Sequence, residues 1–316
     1  MKVLVTGATG FIGSLVVQQL RQAQIEVRIA SRHPQPGAAH DVVQLPNFDA
    51  PAQTFLAITK DVTHVVHCAG LNNDRGNATE ADYLNANAEL TGQLARAAAV
   101  EASGRLVYLS SIRAVVGAGF SGTINEKMAP APQCAYGRSK REGEIRMLEA
   151  YASSGRRDAT ALRLPQVYGS GMGGTLAMLM RLADTALPLP AATLAGVRLL
   201  ISSEAAARAV LHLLSRPGPL RPVYVASDLS PISIAAIIEA FRQGFGRPKR
   251  LVALPAGLMQ PVASLLGKRT FWDSLSATQI CDPSLLISEA WSPETDTFQR
   301  LSEVARSSKL RPAQPR

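Results

Sequence analysis

Apolar positions recur along this chain in two alternating rhythms. Val3, Leu4 and Val5 form a short apolar run, followed by glycines at 7, 10 and 13. Beyond them Ile12, Leu15, Val16 and Leu20 recur at helical spacing. Runs at 25–31 (IEVRIAS), 41–45 (DVVQL) and 63–70 (THVVHCAG) read as further strands. A helix carrying Leu90, Leu94 and Ala98 precedes the strand RLVYLSS at 105–111. A Gly- and Pro-rich loop then runs to about Pro132, and a helix from Tyr136 to about Tyr151 carries Ile145 and Leu148. ATALRLPQVYG at 159–169 reads as a sixth strand and its exit.

Strands that alternate with helices predict an α/β fold, a Rossmann-like doubly wound parallel sheet covered on both faces. Ligands of such sheets bind at the carboxyl ends of the strands. After Gly169 the alternation weakens. GTLAMLMRLADTALPLP reads as a helix ending in prolines, while the helix at 204–214 and the strand at 222–227 return to the sheet. The expected division is a dinucleotide-binding domain at 1–169, rejoined by 200–228, and a smaller, mainly helical substrate-binding cap at 170–199 and 229–316.

Composition narrows the function classes. Hydrophobic residues make up 47% and charged residues 18% of 316, which is globular rather than disordered. The formal charge of +9 is spread along the chain, with no basic stripe interleaved with aromatics, so nucleic acid is not the expected partner. Several cations fall in the terminal RSSKLRPAQPR. Three dispersed cysteines, Cys68, Cys134 and Cys281, make neither a disulfide framework nor a zinc spacing, so a reducing cytoplasm and no metal are expected. The first residues show no signal-peptide pattern. The apolar stretch 251–267 is too short and proline-broken to span a bilayer, and reads as a core-facing or cleft-lining helix.

The glycine triplet lies between a predicted strand and a predicted helix, where backbone must approach a pyrophosphate closely. Gly7, Thr9, Gly10, Phe11, Ile12 and Gly13 are therefore expected to bind a dinucleotide. At the end of the second strand NAD calls for an acid, but this chain has Ser31, Arg32 and His33. Arginine suits a 2′-phosphate, which favours NADP and leaves NAD possible.

Tyr136 and Lys140 lie one helical turn apart in AYGRSK, on one face. By itself such a pair also describes two solvated side chains. Together, TGATGFIG, YGRSK and an upstream serine resemble the extended short-chain dehydrogenases/reductases of the NAD-dependent epimerase/dehydratase family. LRLPQVYGSG and CDPSLLISEAWSP resemble later segments of that family. The resemblance implies that Tyr136 is the acid/base, that Lys140 is its cationic partner, and that Ser111 binds the substrate oxygen, with Ser110 as the alternative. It places a helix asparagine at Asn87, beside Asn85, and puts Cys68, Ala69 and Gly70 under the adenine ribose. It also implies a homodimer, and a nucleotide-linked sugar or 4-keto sugar as substrate, with Arg198 approaching the substrate phosphates. Ile112 and Arg113 stand where the family's dehydratases carry an acidic pair, which argues against dehydration. Ser203 is the expected cap of the helix at 204–214. A reductase of small hydrophobic ketones, suited by 251–267, and a non-catalytic NADP-sensing protein are the alternative readings.

Overall fold

The computed structural model describes residues 1–34, 41–72, 77–194, 196–253 and 269–309. Residues 254–267 of the apolar stretch 251–267, Lys268, and the tail beyond Lys309 lie outside them.

Seven strands make one parallel sheet: β1 (Lys2–Thr6), β2 (Glu26–Ser31), β3 (Val42–Gln44), β4 (His64–His67), β5 (Leu106–Ser111), β7 (Ala159–Leu164) and β11 (Val223–Val225). They lie in the order β11-β7-β5-β4-β1-β2-β3. The order reverses between β1 and β4, which opens a crevice at their carboxyl ends. Thr6 and His67 are register partners at that edge.

Helices cover both faces. On one, α1 (Gly13–Gln22) buries Val16, Val17 and Leu20 and packs on α7 (Ser203–Ser215). On the other lie α2 (Ala52–Thr59), α3 (Glu80–Leu84), α4 (Leu90–Glu101) and α5 (Ala135–Ser153). Between α3 and α4 the helix loosens into a π-segment at Asn85–Glu89. Two apolar cores result, one around Val5, Val107 and Leu162, the other around Leu4, Tyr108 and Met147. The sequence pattern did not reveal α2, a short helix between Pro51 and Lys60.

The rest of the chain is mainly helical, with short strands set between its helices. A four-stranded sheet joins β6 (Gly122–Ile124), β9 (Val197–Arg198), β12 (Ile232–Ser233) and Gln279–Cys281, in the order β12-β9-(279–281)-β6. The sixth predicted strand splits at Pro165 into β7 and β8 (Val167–Tyr168), and β8 pairs with β10 (Ile201–Ser202). Here α6 (Gly174–Ala183), α8 (Ile234–Gly244) and the helix Thr297–Lys309 pack around Leu179, Ile237, Phe241 and Leu301. Ser202, not Ser203, caps α7, its Oγ accepting from the Ala205 amide at 2.9 Å.

Candidate active site

A cleft of about 550 Å³ opens at the carboxyl edge of the sheet. Gly7, Thr9, Gly10, Phe11, Ile12 and Gly13 line it, with Ser31, Arg32, Cys68, Ala69, Gly70, Ser111, Tyr136 and Lys140. Of the sequence-predicted site residues only Asn87 and Arg198 are off its wall.

The glycine turn is shaped for close approach. Gly7 has φ +68°, and a Cβ there would lie 2.6 Å from the Ala69 amide nitrogen. A Cβ on Gly13 would lie 2.1 Å from the Gly7 carbonyl oxygen, so α1 can begin this close to β1 only without a side chain. No acidic residue occupies the first turn of α1, leaving its amide dipoles to an anion.

At the tip of β2, Ser31 Oγ accepts from the His33 amide and the Arg32 carbonyl accepts from Gln44 Nε2 at 2.7 Å. The Arg32 side chain is exposed, between the cleft and an adjoining hollow that includes Leu45, Asn47 and Phe48. Asp41, the next acid along, is paired with Lys2 and Arg28. The tip of β2 thus presents a serine and an arginine to the cleft, with no acid between Ser31 and His40.

Alternation along β5 separates the two serines. Ser110 also borders the cleft, but its Oγ is committed to the buried Glu144, donating to Oε1 at 2.6 Å. Ser111 Oγ accepts from the Arg113 amide at 3.2 Å, so its own proton is left for a ligand. Gly137 lets α5 press onto the turn after β5, because a Cβ there would lie 2.2 Å from the Arg113 carbonyl oxygen. The residue before Gly137, Tyr136, lines the same cleft as Ser111.

Lys140 is buried one turn deeper. Its Nζ donates to the Leu109 carbonyl at 2.9 Å and stands 4.7 Å from the centre of the Tyr108 ring. Burial pulls the ammonium down to about 8, opposed by the nearby Cys68 and Glu144. The Tyr136 ring packs edge-on against Tyr83, with centroids 6.1 Å apart. Burial pushes the Cys68 thiol up to about 12, which suits a packing residue rather than a nucleophile.

Asn87 is fully buried in the π-segment. Its Oδ1 accepts from the Leu71 amide at 2.8 Å, and its Nδ2 donates to the Leu71 carbonyl and to Ser139 Oγ, both at 3.0 Å. It therefore clasps the loop after β4 to α5 from beneath and is a positioning residue. Beside it, His67 is locked in one tautomer. The Thr91 hydroxyl donates to the Asn87 carbonyl, so His67 Nε2 must donate to Thr91 Oγ1, and Nδ1 accepts from Thr6. Burial then holds the imidazole down at about 3, neutral beside Lys140.

Arg198 is 3% exposed and turned inward. Its Nη2 donates to the carbonyls of Ser274 at 2.8 Å, Leu275 at 3.2 Å and Ala277 at 3.3 Å. Besides Arg32, the arginine that lines the cleft is Arg113, which sequence reasoning singled out only as a departure from the dehydratase pattern. Among the described residues, no group of three or more His, Cys, Asp or Glu could hold a metal ion. None of the helices searched there is long and apolar enough to cross a membrane.

The sequence model of the NAD dependent epimerase/dehydratase family matches residues 3–225. The chain belongs to that family. A UDP-glucose 4-epimerase of Vibrio cholerae is 27% identical over 292 residues, 89% of this chain and 87% of the relative. Among solved structures, the UDP-N-acetylglucosamine 4-epimerase from Bacillus cereus superposes with a TM-score of 0.77 at 18% identity, covering 100% of this chain and 99% of that one. A UDP-glucuronic acid 4-epimerase from Bacillus cereus, in complex with NAD, has a TM-score of 0.76 at 19% identity, covering 98% and 99%. These family members share the Rossmann-like fold of this chain.

Proposed function

We propose that this protein is a nucleotide-sugar epimerase working by oxidation and reduction at C4 of the sugar, with NADP preferred over NAD. The observation that carries the reading is the convergence of Ser111, Tyr136 and Lys140 on the cleft that the glycine turn closes. When bound, an oxidised nicotinamide dinucleotide would take up a hydride and give it back, so the protein must orient the sugar and move one proton. Tyr136 moves it at the phenolic oxygen. Lys140 favours the phenolate by its charge, and the Ser111 hydroxyl proton steadies the sugar oxygen where charge develops. Residues 170–199 and 229–316 serve as the specificity cap. A homodimer and a cytoplasmic setting complete the reading.

Arg32 favours a second reading, a reductase of a 4-keto sugar that consumes NADPH. An epimerase returns the hydride it removes and shows no net change in reduced-nicotinamide absorbance, whereas a reductase oxidises one NADPH for each sugar. Turnover of UDP-hexoses by the cofactor-loaded enzyme, followed by both absorbance and epimer analysis, separates the two. Tyr136→Phe should lower turnover by roughly 10²–10⁴-fold while cofactor still binds. Retention of full turnover would remove Tyr136 from the proposed role.

A further inference from the structure

Two arginines meet behind the reaction end of the cleft without an acid between them. Gln279 and Arg198 are register partners on adjacent strands. The Gln279 side chain, 4% exposed, reaches from there to Arg113, its Oε1 accepting from Arg113 Nη2 at 2.7 Å. Gln279 Nε2 in turn donates to the carbonyls of Ala118 at 2.8 Å and Phe120 at 3.1 Å, fixing the loop on which Arg113 Nη1 also rests through the Gly117 carbonyl.

Among the described residues neither guanidinium has a carboxylate partner. Arg198 is held by backbone carbonyls and, at 3.5 Å, by Gln166 Oε1, and its buried Nε has no hydrogen-bond partner. Arg113 uses two groups of donors on neutral oxygens, and a guanidinium has five N–H bonds to give. Burial pulls both below the ordinary arginine value, Arg198 to about 10, and the charge of Arg113 adds to the lowering of Arg198. Buried charges are normally paired. Here two like charges share one half-buried wall, and only Arg113 reaches the cleft.

The place of Arg113 limits what the missing anion can be. Its backbone amide holds Ser111 Oγ at 3.2 Å, and its carbonyl is the atom on which Gly137, the residue after Tyr136, packs. Arg113 is therefore contiguous with the groups that would act at C4. In a nucleotide sugar the diphosphate is on C1, across the ring, while the C5 substituent is next to the reacting carbon. A cation beside the proton-moving residues thus meets C6 before it meets the diphosphate.

We infer that Arg113, backed by Gln279 and Arg198, is a specificity-determining residue that binds a carboxylate at C6, so that the preferred substrate is a nucleoside diphosphate hexuronate. This inference rests on the nucleotide-sugar reading above. It assigns to Arg113 a charge-assisted contact with the sugar itself, made in both epimers because C6 is not the centre inverted.

The test uses the cofactor-loaded protein with UDP, UDP-glucose and UDP-glucuronate as probes, in titration calorimetry and in turnover. The wild type should bind and turn over UDP-glucuronate in preference to UDP-glucose. Arg113→Gln should lower the ratio of the two affinities by roughly 10- to 100-fold, the range of a charged hydrogen bond, with UDP affected least. Arg113→Lys, which keeps charge but loses the planar fork, should fall between, and serves if the glutamine variant does not fold. A wild type with no preference for the hexuronate overturns the inference. So does an equal loss for UDP, UDP-glucose and UDP-glucuronate, which would assign Arg113 to the diphosphate or to bracing the wall. Failure of the wild type to bind any of the three probes would instead remove the nucleotide-sugar reading itself, and this inference with it.

Discussion

Glu144 and Arg163 face each other through two hydrogen bonds, Nε to Oε1 at 2.9 Å and Nη2 to Oε2 at 2.7 Å, with both side chains almost wholly shielded from solvent. Glu144 lies one turn beyond Lys140 on α5, and Arg163 is on β7, so the pair sets the depth at which α5 sits on the sheet. Ser110 adds a third bond to the same carboxylate, from the strand that ends in Ser111. Removing one partner of such a pair leaves an uncompensated buried charge. Glu144→Gln should therefore cost about 3–5 kcal/mol in urea unfolding of the unliganded protein. A loss below about 1 kcal/mol would show that the pair does not bear on stability, as for an exposed bridge.

The buried lysine gives a pH dependence of definite sign. Burial holds Lys140 at about 8 against its ordinary 10.5, so between those values the unfolded chain binds a proton that the folded chain does not. The lysine's contribution to stability thus rises with pH through that window and is least favourable below about 8. Lys140→Met should stabilise the unliganded protein at neutral pH, by on the order of 2 kcal/mol, at the expense of turnover. The advantage should shrink as pH rises from 8 to 10.5. Thermal unfolding of both proteins across this range measures it, and a constant difference would contradict the assignment.

Arg32 lies at the tip of β2, and the sequence from Ser31 to His40 holds no acid to bind ribose hydroxyls. Arg32→Ala should weaken NADP roughly tenfold or more, the worth of a charged hydrogen bond, and change NAD affinity far less. Fluorescence titration with both reduced cofactors reads the ratio. Tighter binding of NAD than NADP by the wild type would discard the NADP preference.

At the glycine turn, Gly13→Ala forces a Cβ to within 2.1 Å of the Gly7 carbonyl unless α1 moves away from β1. The backbone cannot yield there without moving the first turn of the helix. A stability loss of about 1–3 kcal/mol should accompany a loss of affinity for both NAD and NADP. Unchanged affinity for the two would mean that the first turn of α1 does not hold the pyrophosphate.

Local pattern in the sequence was enough for the elements that build the cleft. The run Val3–Val5, the glycines after it and the helical spacing of Leu15, Val16 and Leu20 define a strand, a tight turn and a helix without reference to distant residues. Tyr136 and Lys140 share a face because they are one turn apart, and alternation along β5 separates Ser110 from Ser111. Tertiary structure decided what those local rules cannot reach. Strands of two or three residues, such as Val197–Arg198 and Gln279–Cys281, hold too few positions to show a period, so their pairing with each other and with Gly122–Ile124 was not legible. That pairing is what turns Arg198 inward and, through Gln279, holds Arg113 at the cleft. The π-segment that points Asn87 at Leu71 and Ser139 likewise depends on α5 packing against it, because a wider helical turn leaves little mark on hydrophobic spacing. Side-chain partners drawn from distant parts of the chain are chosen by packing, and a one-dimensional pattern records only which face is buried.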